Sequence, residues 1–482
     1  MSNFEPTILR QLAEHYYQAP CSKMEKIPQS GSVRIYCRLH FEGKSTLMGV
    51  YNEDVAENHA FFAYTRFFGE HGVNVPQLLS IHDNEQYYLL SDLGDETLYS
   101  FLLRHRDGPV LAPEVIGFYQ KVIRQLPLIQ MSGKQGLDFS VAYPRAAFDR
   151  QSMQWDLNYF KYYFVKLSKI TFDEQKLEDD FQTLMDYLLQ CDSDFFLYRD
   201  FQSRNIMIHD GEVYFIDYQG GRKGSYFYDI ASLLFDGKAD LPFELRESLL
   251  DLYLSELQKH ITINTTDFRK HFYSFVLIRI MQAMGAYGYR GYFEKKSHFL
   301  QSIPYAMGNI NYLLTGDKLP DNIPYLKSVL QQLTRVDWTF FTGGKAPAKD
   351  DKKLHVLVQS FSFKKGVPQD PSENGGGFVF DCRCLPNPGR EPQYRNFSGK
   401  DACVKEYLEK YEEVDRFKQQ VYGIIDMAVD NYIEREFNHL MVSFGCTGGQ
   451  HRSAYFAECA AAHLRAKYPD ILVELRHRDC PC

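Results

Sequence analysis

Three side chains able to move a phosphoryl group lie close together in this 482-residue sequence. Asp200 and Asn205 share the polar segment YRDFQSRN, and Asp217 ends the run IMIHDGEVYFID. Phosphoryl transfer needs a carboxylate to accept the proton of the attacking hydroxyl, and an amide with a second carboxylate to hold Mg²⁺ against nucleotide phosphates. In that chemistry Asp200 is the base, Asn205 and Asp217 are the metal ligands, and ATP is the donor. The bland alternative is a surface hairpin whose Asp and Asn residues only make turns. It leaves unexplained why two apolar strands should bring all three groups to one end.

Those strands are short. Ile206 to Ile208 and Val213 to Ile216 flank an Asp210-Gly211 turn, the pattern of a tight hairpin that ends at Asp217. Upstream, Phe4 to Tyr17 has helical periodicity. Ser30-Gly31-Ser32 precedes an alternating strand, Val33 to His40, which turns at Glu42-Gly43-Lys44 into a second strand, Thr46 to Val50. A small loop before such a pair can cover nucleotide phosphates with backbone N–H groups. A helix from Ala56 to His71 and strands Gln77 to Ile81 and Gln86 to Ser91 follow. The chain then crosses at Asp92 and Leu93, where backbone groups would meet adenine. From Ala112 to Arg335 the pattern is mostly helical, with Asp229 placed to brace the catalytic loop. The aromatic segment Trp155 to Lys166 reads as core-facing, with Asp156 and Asn158 as residues that could face a sugar.

The spacing D-x4-N followed by a strand-end Asp resembles the catalytic and metal-binding segments of the protein-kinase-like fold. Tyr198 stands where that fold usually has His, and Asp217-Tyr218-Gln219 replaces Asp-Phe-Gly, which points to its small-molecule relatives. SGSVRIYCRL, LLSDLGDETL, YRDFQSRNIMI, FIDYQGG and YDIASLLFD together resemble the bacterial anomeric N-acetylmuramate/N-acetylglucosamine kinases of the aminoglycoside phosphotransferase superfamily. These also lack an obvious lysine on the second strand, and Leu47 to Val50 has none here; Arg34 and Lys44 are the substitutes at hand. The resemblance implies an α+β bilobal kinase-like domain over residues 1–340, with a small lobe to about residue 93. It further implies ATP, Mg²⁺, an amino-sugar acceptor, and Arg204 as a residue that orients substrate or phosphate.

Residues 341–353 read as a linker of Gly, Pro and charge. Beyond it GCTGGQHRS, Gly445 to Ser453, lies between an apolar strand (His439 to Phe444) and a helix (Ala454 to Lys467). A glycine-rich strand-to-helix loop presents N–H groups to an anion. Cys446 and Arg452 also have the C-x5-R spacing of cysteine phosphatases, so a kinase–phosphatase pair is one competing reading. Residues 354–482 closely resemble the C-terminal domain of the RNase adapter proteins (RapZ), through SFSFKKGVP, FVFDCRCLPNP, SGKD, GCTGGQHRSAYFAE and RHRD. The resemblance implies a smaller α/β domain that binds a phosphosugar or another phosphorylated ligand. Its site residues would be Cys446, Thr447, Gly448, Gly449, His451, Arg452 and Ser453, with Asp381 and Arg383. The P-loop domain of those proteins has no counterpart here, so RNA-adapter function does not carry over whole. A non-catalytic regulator that binds RNA or protein is the second competitor.

Composition bounds these readings. The net charge of −8 supplies no global basic field for nucleic acid, and RNA is the less favoured partner. Scattered cysteines, no long apolar run and no signal-peptide pattern at the start lead to an expectation of a cytoplasmic protein without a membrane partner.

Overall fold

The computed structural model describes residues 4–28, 34–108, 110–294, 296–336, 338, 353–368, 370, 377–435 and 437–480. Two compact units divide at Trp338 and Thr339. Ser30, Gly31 and Ser32, and nearly all of the expected linker, lie outside the described residues.

In the first unit, strands β1 (Lys23–Lys26), β2 (Ile35–His40), β3 (Leu47–Tyr51), β4 (Leu78–Ile81) and β5 (Tyr87–Ser91) form an antiparallel sheet in the order β1-β2-β3-β5-β4. Alternation decides its faces. Ile35, Cys37 and Leu39 of β2 are buried against Leu9 and Ala13 of the helix Pro6–Tyr17, so Arg34, Tyr36 and Arg38 occupy the opposite face. Helix Val55–Glu70 starts on Asp54, whose side chain accepts the N–H of Glu57, and buries Phe61, Phe62, Tyr64 and Phe68.

The rest of this unit is mainly helical, as its sequence pattern foretells. A two-residue pair, β6 (Arg106–Asp107) with β7 (Val110–Leu111), decorates it, and strand β8 (Phe195–Leu197) enters the centre. Strands β9 (Ile206–His209) and β10 (Glu212–Phe215) form the expected hairpin, with Asp210 and Gly211 both at positive φ. Strand β11 (Arg222–Gly224) returns antiparallel to β8. The two ends of the catalytic segment are therefore stitched together on either side of the hairpin.

The second unit holds a parallel sheet built from β12 (His355–Ser362), β13 (Phe378–Asp381), β14 (His439–Cys446) and β15 (Leu472–His477), in the order β13-β14-β12-β15. β12 and β14 are buried almost throughout, as parallel strands covered on both faces must be. Helices Glu412–Glu434 and Arg452–Lys467 supply much of the cover. The connections from β12 and β14 leave in opposite directions, which makes the gap between their carboxyl ends a switch point, the usual place for a ligand in such sheets.

Candidate active site and a candidate anion-binding loop

The hairpin brings together the three side chains singled out by spacing. Asn205 Nδ2 donates to the backbone oxygen of Asp200 at 2.8 Å and to Asp217 Oδ2 at 3.2 Å. Asp217 takes a positive φ of 71°, a strained conformation for a residue with a side chain, and Gln219 Nε2 holds its Oδ1 at 2.8 Å. This is what Gln supplies in the Asp-Tyr-Gln departure. Asp217 is exposed, yet protein atoms crowd around its carboxyl. That crowding, and then the Asp200 carboxylate, push its pKa up to about 6. A carboxyl so placed is relieved by a cation, and with the Asn205 amide it makes an oxygen donor set suited to Mg²⁺.

Supports around the triad were only partly legible in sequence. Asp229, fully buried, accepts the N–H groups of Tyr198 at 2.8 Å and Arg199 at 3.1 Å, so it braces the catalytic segment as expected. Burial raises its pKa to about 7. Tyr198, in the position where His is usual, donates its hydroxyl to Ile216 O and ties the loop to the residue before Asp217. Arg199, also at positive φ, makes a two-pronged ion pair with Asp156, at 2.8 and 2.6 Å, and bonds the Tyr228 hydroxyl. The idea that Asp156 faces a sugar is thereby corrected: its carboxylate is spent inside the protein, and Asn158 accepts from Gln154.

Arg204 is exposed on the catalytic segment and makes no hydrogen bond or ion pair among the described residues. The Asp92 carboxylate is engaged by Arg38 at 2.6 and 3.0 Å, by Thr46 at 2.7 Å and by the N–H of Gly94, so its side chain fastens the crossing and only backbone there is left for a base. Leu93 is buried beside it. Next to the loop, Gln202, Asp236, Arg279 and Asn309 line a small pocket of mixed character together with Phe235 and Ile280.

Helix Val55–Glu70 is fixed to this hairpin. Tyr64 donates to Gly221 O, Thr65 Oγ1 lies 2.6 Å from the Tyr218 hydroxyl, and Phe61 stacks on Tyr218 at 5.3 Å.

In the second unit, the loop from Thr447 to His451 leaves β14 at the switch point and enters helix Arg452–Lys467. Among the described residues the N–H groups of Thr447, Gly448, Gly449, Gln450 and His451 have no hydrogen-bond partner. They lie at a helix N-terminus with no side-chain cap, which is a ready anion cradle. Gly449 has a φ of 75°, and a Cβ there would come within 2.8 Å of Asp479 Cβ.

The side chains assigned to this loop are largely occupied. His451 bonds Tyr394 O and Arg383 pairs with Asp381. Arg452 donates to the carbonyls of Arg383 and Leu385, while its buried Nε has no partner. Cys446 is buried, with Sγ 3.1 Å from the Ser453 hydroxyl. The loop offers its backbone rather than its sulphur, so the C-x5-R spacing is met without an exposed nucleophile.

The first unit thus joins an antiparallel sheet to a mainly helical part through the β9–β10 hairpin, and the second is an α/β unit around a parallel sheet. The model of the phosphotransferase enzyme family matches residues 43–262, and that of the RapZ C-terminal domain matches residues 354–481. Residues 43–262 are thus similar to the phosphotransferase enzyme family and residues 354–481 to the RapZ C-terminal domain.

Curated relatives named "Nucleotide-binding protein" include one from Halorhodospira halophila, 37% identical over 180 residues, covering 35% of this chain and 60% of the relative. Another, from Methylobacillus flagellatus, is 42% identical over 126 residues, covering 26% of this chain and 42% of the relative. The chain therefore spans less than two thirds of the length of these relatives. Similar solved structures include choline kinase from Cryptosporidium parvum, with a TM-score of 0.45, 13% identity, and coverage of 67% of this chain and 98% of the other. Spectinomycin phosphotransferase bound to AMP has a TM-score of 0.44, 11% identity, and coverage of 69% and 99%. No helix among the described residues is long and apolar enough to cross a membrane.

Proposed function

We propose that this protein is an ATP- and Mg²⁺-dependent kinase for a hydroxyl of an amino sugar of the N-acetylmuramate/N-acetylglucosamine type, and that its C-terminal domain binds a phosphorylated sugar. The observation that carries this reading is the junction of Asp200, Asn205 and Asp217 at one end of the β9–β10 hairpin. Asp200 accepts the proton of the attacking hydroxyl, and Asn205 and Asp217 hold the Mg²⁺ that neutralises phosphate charge. Asp229 and the Arg199–Asp156 pair keep the base in place by fixing the backbone on which it sits. Arg204, on the exposed side of the same segment, is free to meet substrate or phosphate. The unpartnered N–H groups of Thr447 to His451 support the phosphosugar site, and they favour binding over a kinase–phosphatase pair.

The test is ATP consumption by the full chain with Mg²⁺ on N-acetylmuramate, N-acetylglucosamine, glucosamine, choline and an aminoglycoside, together with calorimetric binding of the corresponding sugar phosphates. Turnover on an amino sugar is the expected result. Turnover on choline or the aminoglycoside alone would replace the substrate class. Nucleotide binding without turnover on any acceptor, together with salt-dependent RNA binding, would favour the regulator reading.

A further inference from the structure

We propose that Arg279 binds a carboxylate carried by the acceptor, so that this kinase takes an acidic amino sugar in preference to a neutral one. The inference rests on the amino-sugar kinase reading above and narrows its acceptor. Arg279 lies on helix Thr265–Ala286 and lines the small pocket next to the catalytic segment, together with Gln202 of that segment. Ser232, on helix Phe227–Leu234, accepts from Arg279 Nε at 2.9 Å, and Asp229 of the same helix braces the catalytic segment. One short helix therefore fixes both the backbone that carries the base and the root of the arginine.

The charge of Arg279 has no answer inside the protein. The residue is only 6% exposed, yet it makes no ion pair among the described residues. Its hydrogen bonds go to the neutral oxygens of Ser232 and Gln282, from Nε and Nη1, and Nη2 makes none. A buried guanidinium is costly unless a carboxylate compensates it. Arg199 shows the usual solution, a two-pronged pair with Asp156. Asp236 lines the same pocket as Arg279 but does not supply the partner: its oxygens accept Ser203 Oγ at 3.2 Å and the Lys238 N–H at 3.3 Å, and it too makes no ion pair among the described residues.

The partner is therefore a group that arrives with a ligand. A carboxylate fits, because its two oxygens match the planar fork of a guanidinium. Phe235 and Ile280 give the pocket apolar walls, which keep water from the pair and strengthen it, and which suit the short aliphatic arm that carries such a carboxylate. Asp236, with lone pairs to spare, can accept a hydroxyl or an amide N–H of the same molecule. Burial and then Asp236 raise the pKa of Tyr287 on the pocket wall, while Arg279 and Arg204 oppose the rise, so the exposed arginine of the catalytic segment is within electrostatic reach. A neutral acceptor would leave Arg279 uncompensated in the complex and an acidic one would not; that difference is the source of the specificity.

The test compares kcat/KM of the full chain, with ATP and Mg²⁺, on N-acetylmuramate, which bears a carboxylate on a lactyl arm, and on its methyl ester, which lacks the charge. The unsubstituted chain should prefer the acid by about tenfold or more. Arg279→Met should abolish that preference, chiefly through KM for the acid. Because Arg279→Met alters a buried position, Gln282→Glu is measured in parallel. It sets a carboxylate against Nη1 from a half-buried position, competes with the acceptor for the guanidinium, and should raise KM for the acid about tenfold more than KM for the ester. Use of the ester at least as well as the acid by the unsubstituted chain would overturn the inference and leave the kinase reading standing. So would a preference that survives in folded Arg279→Met, or in Gln282→Glu if the first variant does not fold. An unsubstituted chain that phosphorylates neither compound would overturn both.

Discussion

In the reading proposed above, the two units handle phosphate charge in opposite ways. In the first, the work falls to side chains: the carboxylates Asp200 and Asp217, and the Asn205 amide that bonds Asp217 and the Asp200 backbone. In the second it falls to successive backbone N–H groups, while His451, Arg383 and Arg452 hold the surrounding loops. A side-chain site can do chemistry because its groups gain and lose protons; a backbone cradle can only bind. The difference teaches that one should respond to the identity of its residues, and the other to the path of its chain.

The sharpest way to break that contrast is Asp200→Asn. It should lower phosphoryl transfer by about a thousandfold with ATP affinity intact, measured by product formation and calorimetry. If transfer persists, the proton acceptor lies elsewhere.

The next effect follows from Asp229, whose folded-state pKa of about 7 stands above that of an unfolded Asp. A raised pKa contributes stability that is fully present below the unfolded value near 4 and is lost as pH rises through about 7. The stability of the unsubstituted chain relative to Asp229→Asn should therefore fall across that window, by up to about 1.4 kcal/mol per pH unit in denaturant unfolding. A flat difference would mean that the two N–H groups hold Asp229 ionised despite its burial.

Smaller effects test the cradle. Gly449→Ala forces a side chain into a left-handed position with Asp479 Cβ in the way, and should weaken phosphosugar binding by about tenfold. Thr447→Ala, which leaves the backbone path alone, should change it by less than about twofold. Equal losses in the two variants would make the second site a side-chain site after all.

How much of this was readable in the sequence depended on the distance between cause and effect. The β9–β10 hairpin announces itself within a dozen residues, through alternation and an Asp-Gly turn, and it carries Asn205 and Asp217 with it. The polar strand β1, Lys-Met-Glu-Lys, shows no buried alternation and exists because β2 pairs with it. Strands β8 and β11 have three residues each and find one another across the hairpin. Asp156 meets Arg199 from a remote helix, so nothing in its own core-facing aromatic segment marked it as a brace rather than a residue that could face a sugar. Arg38 and Lys44 were visible as charges, but their engagement by Asp92, Asp95 and the Tyr17 carbonyl was not, because spacing does not carry partners. The loop at Thr447 was legible as glycine-rich, whereas the inward engagement of Arg452 was not.

One joint in the small lobe bears on control. Protein kinases of the regulated kind are switched by swinging the glutamate-bearing helix away from the nucleotide. Here that helix is fastened to the metal-binding turn by Tyr64 on Gly221, Thr65 on Tyr218 and a stacked aromatic pair. An outward swing would break two buried hydrogen bonds and part the rings at once. A throttle of that type would have to undo all of these contacts together.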